Sequence, residues 1–212
     1  MTHNPRSISV TGTGSAEAVP DLLTLSVGVE CRRDTVAEAY GDAGTRSAAI
    51  TSALRQHGVA GPDVSTSGLN VRAEVNWQEG RGQTVTGYLA SSTLTIRIRT
   101  LSASSEVIAA AVAAGGDDVR LNGLTLGFAD SAGIEVRARE AAWQDARTTA
   151  AHYAALSGTG LGRVLSLTQH TGFQPPVPLA KMQRAVAAEA LTVEAGESSV
   201  TATVGVVWEL LD

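Results

Sequence analysis

The chain has 212 residues, 43% of them hydrophobic, enough to bury a sizeable core in one large domain or two small interlocked ones. Its 16 basic and 21 acidic residues give a net charge of -5 without a basic stripe, which argues against a nucleic-acid partner. No window holds the roughly 18 uninterrupted apolar residues of a membrane span and Met1 to Ser7 is polar, so the chain as written reads as cytoplasmic, with a mature secreted or periplasmic protein as the alternative.

Ile8 and Val10 alternate with Ser9 and Thr11, and after Pro20-Asp21 the residues Leu23, Leu25, Val27 and Val29 alternate with Thr24, Ser26, Gly28 and Glu30. Period two predicts strands with one buried face. Gly12 and Gly14 close the first of these strands with no helix N-terminus after them, so the G-x-G reads as part of a hairpin and not as a phosphate loop. Thr35-Val-Ala-Glu38 is a capping box and opens a helix over about 35–57, with Val36, Tyr40, Ala43, Ser47, Ile50 and Leu54 as its apolar stripe and Gly58 as its stop. Leu69 to Gln78 alternates without a slip, placing Leu69, Val71, Ala73, Val75 and Trp77 on one face of a half-buried strand. The break at Glu79-Gly-Arg-Gly-Gln83 and the resumed alternation to Arg99 predict a second hairpin.

An Ala-rich helix over 102–115, stopped at Gly115-Gly116, precedes a strand through Leu124, Leu126 and Phe128. The fold class is therefore α+β: an antiparallel sheet with a βαββαβ-like core of strands at about 21–33, 64–78, 84–99 and 119–129, the split βαβ order of a ferredoxin-like sandwich. A third helix at 131–157, lined by Ala138, Ala142, Ala146, Tyr153 and Leu156, ends at Gly158. Further C-terminal strands are predicted at 163–169 and 199–211, the last with Val200, Ala202, Val204, Val206, Trp208 and Leu210 inward. Between them, residues 172–189 hold three prolines and the one lysine, and read as an irregular loop or arm.

Nothing in the sequence assembles a catalytic, cofactor or metal site. The histidines, His3, His57, His152 and His170, are scattered singly, and neither H-E-x-x-H, C-x-x-C nor G-x-S-x-G occurs. Cys31, the single thiol, falls in phase with the buried row of its strand and reads as core packing. Asp21, Asp117-Asp118 and the pair Glu135 and Glu140 are each explained by a turn or a polar helix face. Trp77 and Trp208 are in phase with apolar strand faces and are expected in the core. Trp143 on the long helix, with Phe173, Pro175, Pro176, Pro178 and Met182 of the irregular segment, are the candidate contacts to another subunit.

The stretches ISVTGTGSAEAVPDLLTLSVGV, GVAGPDVSTSGLNVRAE, GYLASSTLTIRI, AREAAWQDARTTAAHYAALSGTGLGRVLSL and AGESSVTATVGVVWEL together resemble the SIMPL-domain family, over nearly the whole chain. The resemblance implies a single domain over 1–212 and relatives that include periplasmic proteins tied to oxidative-stress tolerance, an immunogenic periplasmic antigen forming a channel-like oligomer, and a eukaryotic protein linked to kinase signalling. It brings no catalytic residues and no cofactor, and Pro20, Asp21 and Gly87-Tyr88 match as structural marks. The expected function is a non-enzymatic, self-associating homo-oligomer, ring-like or channel-like and soluble. The alternatives are an adaptor or small-ligand binding module working as monomer or dimer with a protein partner, and, behind it, an enzyme whose active site leaves no local motif.

Overall fold

The row Leu23, Leu25, Val27, Val29 and Cys31 is fully or almost fully buried, and it organises half of the molecule. In the computed structural model, which describes residues 6–80, 82–170, 177–178 and 193–212, the elements run in the order β1 (Ser7–Ala18), β2 (Leu22–Arg33), α1 (Val36–Gln56), β3 (Val64–Gln78), β4 (Gly82–Ile98), α2 (Ser104–Gly115), β5 (Val119–Gly127), α3 (Ala132–Leu156), β6 (Gly160–His170), β7 (Val177–Pro178) and β8 (Ser198–Leu211). The chain divides into two units, one built from β2 to β5 with α1 and α2, the other from β1, α3, β6, β7 and β8. The fold is α+β, with antiparallel sheets, as the alternation and helix periodicity require.

In the first unit the strand order is β3-β4-β2-β5, all neighbours antiparallel, which is the ferredoxin-like arrangement expected from the order of elements. Ile50 and Leu54 of α1 and Val107, Ile108 and Ala111 of α2 close over the row of β2 and over Ala90, Leu94, Ile96 and Ile98 of β4. Polar Thr24, Ser26, Thr93 and Thr95 take the opposite face by alternation. The hydroxyl half of the expected capping box forms at the start of α1, where Thr35 Oγ1 accepts from the Glu38 N–H at 3.3 Å, while the Glu38 carboxylate accepts from that hydroxyl at 2.9 Å. Its buried set is Ala39, Ala43, Ile50 and Leu54, whereas Val36 and Tyr40, expected in the stripe, are exposed. The inward face is rotated toward the alanines, which admit a closer approach to the sheet than tyrosine would.

The second unit corrects the first hairpin. β1 does not pair with β2: it runs against β8 from Ser7↔Glu209 to Ala18↔Ser198, while β2 joins β4 and β5. Gly12 and Gly14 lie inside an unbroken strand, outside the positive-φ set, so they form no turn. Their role is close approach. A Cβ on Gly12 would lie 2.2 Å from Ala142 O, and one on Gly14 2.2 Å from Ala142 N, so α3 rests backbone against backbone on β1. On one side of this pinch Val10, Ala146, Ala150, Val206 and Trp208 form a core cluster, and on the other Ala16, Ile134 and Ala138 form a second. The buried stripe of α3 is thus Ala138, Ala142, Ala146, Ala150 and Ala154, while Tyr153 and Leu156, expected in it, are exposed. Where α3 rests on Gly12 and Gly14 the seam accepts only alanine, and the larger Ile134 is buried one turn before Ala138, beside Ala16.

Candidate interaction surface

Hairpin β3–β4 outruns the sheet that supports it. β2 pairs with β4 only as far as Arg33↔Tyr88, yet β3 and β4 continue together through Glu74↔Gly87 to Gln78↔Gly82. The last turns of the hairpin therefore form a two-stranded arm without a third strand among the described residues. Val75, Trp77 and Val85 lie on its apolar side, in phase with Val71 and Ala73, and they are 48%, 70% and 55% exposed. Trp77 is accordingly not a core residue as its phase suggested: alternation fixes the face on which it lies, and among the described residues that face stays open. The signal available in sequence was length, since β3 and β4 span 15 and 17 residues against 12 for β2.

The base of the arm is polar. The end of β2 and the start of α1 form a shallow groove lined by Arg32, Arg33, Asp34, Glu38 and Asp42. Arg33 Nε donates to Asp42 Oδ2 at 2.6 Å, and Arg32 Nη2 donates to Glu74 Oε1 at 2.8 Å. These hydrogen bonds hold both guanidinium groups above their ordinary pKa range. Each cation is matched by a carboxylate, and the carboxylates outnumber the guanidinium groups, so the groove offers no excess positive charge to a small anion.

The residues weighed for chemistry remain apart. His57 Nδ1 lies 3.0 Å from Ala53 O at the end of α1, and the His152 ring stands 6.2 Å from that of Tyr153 on the exposed side of α3. Glu135 accepts from Ser131 Oγ at 2.7 Å and from Arg139 Nη2 at 2.6 Å, which are helix-start and helix-face roles. Asp118 pairs with Arg46. Cys31 is buried in the core, as its phase required, and its thiol is pushed up by burial first and by the Asp118 carboxylate second. Among the described residues no group of three or more His, Cys, Asp or Glu side chains could hold a metal ion. No helix among the described residues is long and apolar enough to cross a membrane.

Of the candidate subunit contacts, Trp143 is half-buried, its ring centroid 5.8 Å from that of the buried Trp208, at 44°. It packs at the edge of the core cluster around Val206 and presents part of its surface outward. Pro178 lies in β7, whose backbone extends the β8 sheet through Pro178↔Ser198. Phe173, Pro175, Pro176 and Met182 lie outside the described residues.

Among the described residues, the long outer strands β1, β3, β5 and β6 differ in how they are closed. β5 has an extra residue opposite Ser26 and Val27, and β6 is interrupted twice. β1 is regular, but Asp145 Oδ2 accepts from its Thr13 N–H at 2.9 Å and Arg137 donates to its Glu17 carbonyl at 3.3 Å. Among the described residues β3 has no such protection from Gly68 to Gln78, where its pairing with β4 adds no residue on the β3 side and the sequence holds neither proline nor lysine.

The sequence model of the SIMPL family, described as a protein of unknown function (DUF541), matches residues 8–208. The chain is 29% identical over 220 residues to the 26 kDa periplasmic immunogenic protein of Brucella melitensis, covering 99% of this chain and 87% of that protein. It is 30% identical over 192 residues to the uncharacterized protein YggE of Escherichia coli K12, covering 91% and 77% of the two chains.

Proposed function

The chain belongs to the SIMPL family, and from that premise we propose that it is a non-enzymatic protein whose working unit is a soluble homo-oligomer, ring-like or channel-like in form and tied to a stress response. The observation that carries this reading is the bare arm: Val75, Trp77 and Val85 on one side of a hairpin that extends past its own sheet. An exposed tryptophan among aliphatic neighbours is the composition of an interface core rather than of a solvated surface. The periplasm is the compartment we assign, since the Brucella relative that spans almost all of this chain carries that location in its name.

The experiment is the absolute mass in solution by light scattering, on the full chain and on a variant lacking residues 172–189. A mass several times the 21.7 kDa chain supports assembly. Loss of that mass on deletion assigns an intersubunit role to the segment holding Phe173, Pro175, Pro176, Pro178 and Met182. A monomer at micromolar concentration overturns the reading and favours an adaptor that docks another protein on the same arm.

A further inference from the structure

We propose that two copies of the chain join edge to edge through β3, antiparallel about a two-fold axis at Ala73, so that two four-stranded sheets become one of eight. This rests on the self-association proposed above and names the surface. β3 is an outer strand 15 residues long, and its open edge runs without a bulge of its own from Gly68 to Gln78. Such an edge presents a row of unpaired N–H and C=O groups, a template for another strand.

The register follows from the sequence of the edge. A two-fold axis perpendicular to the sheet keeps like faces together, so the residue on the axis decides every pair. With Ala73 on the axis, Leu69 faces the partner's Trp77, Asn70 the partner's Asn76, Val71 the partner's Val75, and Arg72 the partner's Glu74. Apolar meets apolar, amide meets amide, and opposite charges meet twice by symmetry. Moving the axis to Arg72 or Glu74 places like charges directly opposite each other. Moving it to Val71 or Val75 leaves both charges without a charged partner.

The surroundings of the two charges agree with this register. Arg72 is exposed and makes no ion pair among the described residues. Glu74 already accepts from Arg32 of its own chain, and a carboxylate has lone pairs for a second guanidinium. The partner's Arg72 would complete an Arg–Glu–Arg bridge on the polar face. On the opposite face Leu69, Val71, Val75 and Trp77 of the two copies would form one apolar band, which answers the exposure of Trp77 in a single chain.

Two experiments test the pairing on the full chain. In Ala73→Cys the two introduced thiols would face each other with Cα atoms about 4.5–5.5 Å apart, within the span of a disulfide, so copper–phenanthroline and oxygen should oxidise them to an intersubunit disulfide. In Asn70→Cys the equivalent atoms would be six positions apart along the strands, about 20 Å, and should not link. The native Cys31 is buried and does not interfere. Separately, Arg72→Glu and Glu74→Arg should each weaken self-association on the order of tenfold, while an equimolar mixture of the two regains it, because the mixed pair restores both opposite-charge contacts. Circular dichroism checks that each variant is folded. Linking through Ala73→Cys alone, with recovery in the mixture, supports the pairing. Equal linking of both cysteine variants, or none in a chain that light scattering shows to be assembled, overturns the β3 pairing and leaves self-association standing. A monomeric unsubstituted chain overturns both.

Discussion

Gly14→Ala tests the seam between β1 and α3. The new Cβ would lie 2.2 Å from Ala142 N and 2.5 Å from Ala138 O, against 3.4–4 Å for ordinary contact. Both neighbours are helix backbone, so no side-chain rotation relieves the overlap, and α3 must rise from the sheet by about 1 Å. Overpacking commonly costs about 1–3 kcal/mol, and a clash between main chains belongs at the upper end, so we expect a loss of about 3 kcal/mol. That is a large share of the ~5–15 kcal/mol that holds a domain folded. Trp143 and Trp208, in contact within this unit, provide the fluorescence signal for a urea titration. A stability unchanged to within a few tenths of a kcal/mol would show that α3 does not bear on β1 through Gly14, and the account of the alanine stripe would fall with it.

Gly41→Ala and Gly44→Ala, within α1 and with nothing within 4 Å of a built Cβ, should each stabilise the protein by about 0.5–1 kcal/mol in the same titration. Asp63, which accepts from Arg99 Nε and Nη2 at 2.8 Å each, has its carboxyl held below the ordinary carboxylate range by those bonds. Its contribution is therefore complete above its unfolded pKa of about 4 and is lost as pH falls through its lower folded value. Asp63→Asn should lower stability at neutral pH, and the gap to the parent chain should close below about pH 4 in acid titrations. Cys31, buried and with its thiol pushed up, should react with a disulfide reagent only at the rate at which the protein opens, and at full speed in urea.

Much of the fold was legible because periodicity is a local property. The alternation of β2, the Thr35 cap and the glycine stops at Gly58 and Gly158 are each decided by residues a few positions apart, and each appears where expected. The order strand, helix, strand, strand, helix, strand also carried its sheet topology, since few arrangements bury both helices on one antiparallel face. Strand partnership is different. Pro20 between two alternating runs is compatible with a hairpin, yet β1 pairs with β8 and its Gly12 and Gly14 fit the α3 backbone, both more than 120 residues on.

For the interaction surface, alternation specified which residues of β3 share a face but not whether that face is covered. Trp77 is in phase with Val71, yet Val71 packs on the core and Trp77 stands 70% exposed, because α1 and β2 end before the arm does. The sequence by itself determined the periodicities, the helix ends, the α+β class and the self-complementary run from Leu69 to Trp77. Tertiary structure decided which strands are neighbours and which edge stays open, because both depend on where distant segments stop.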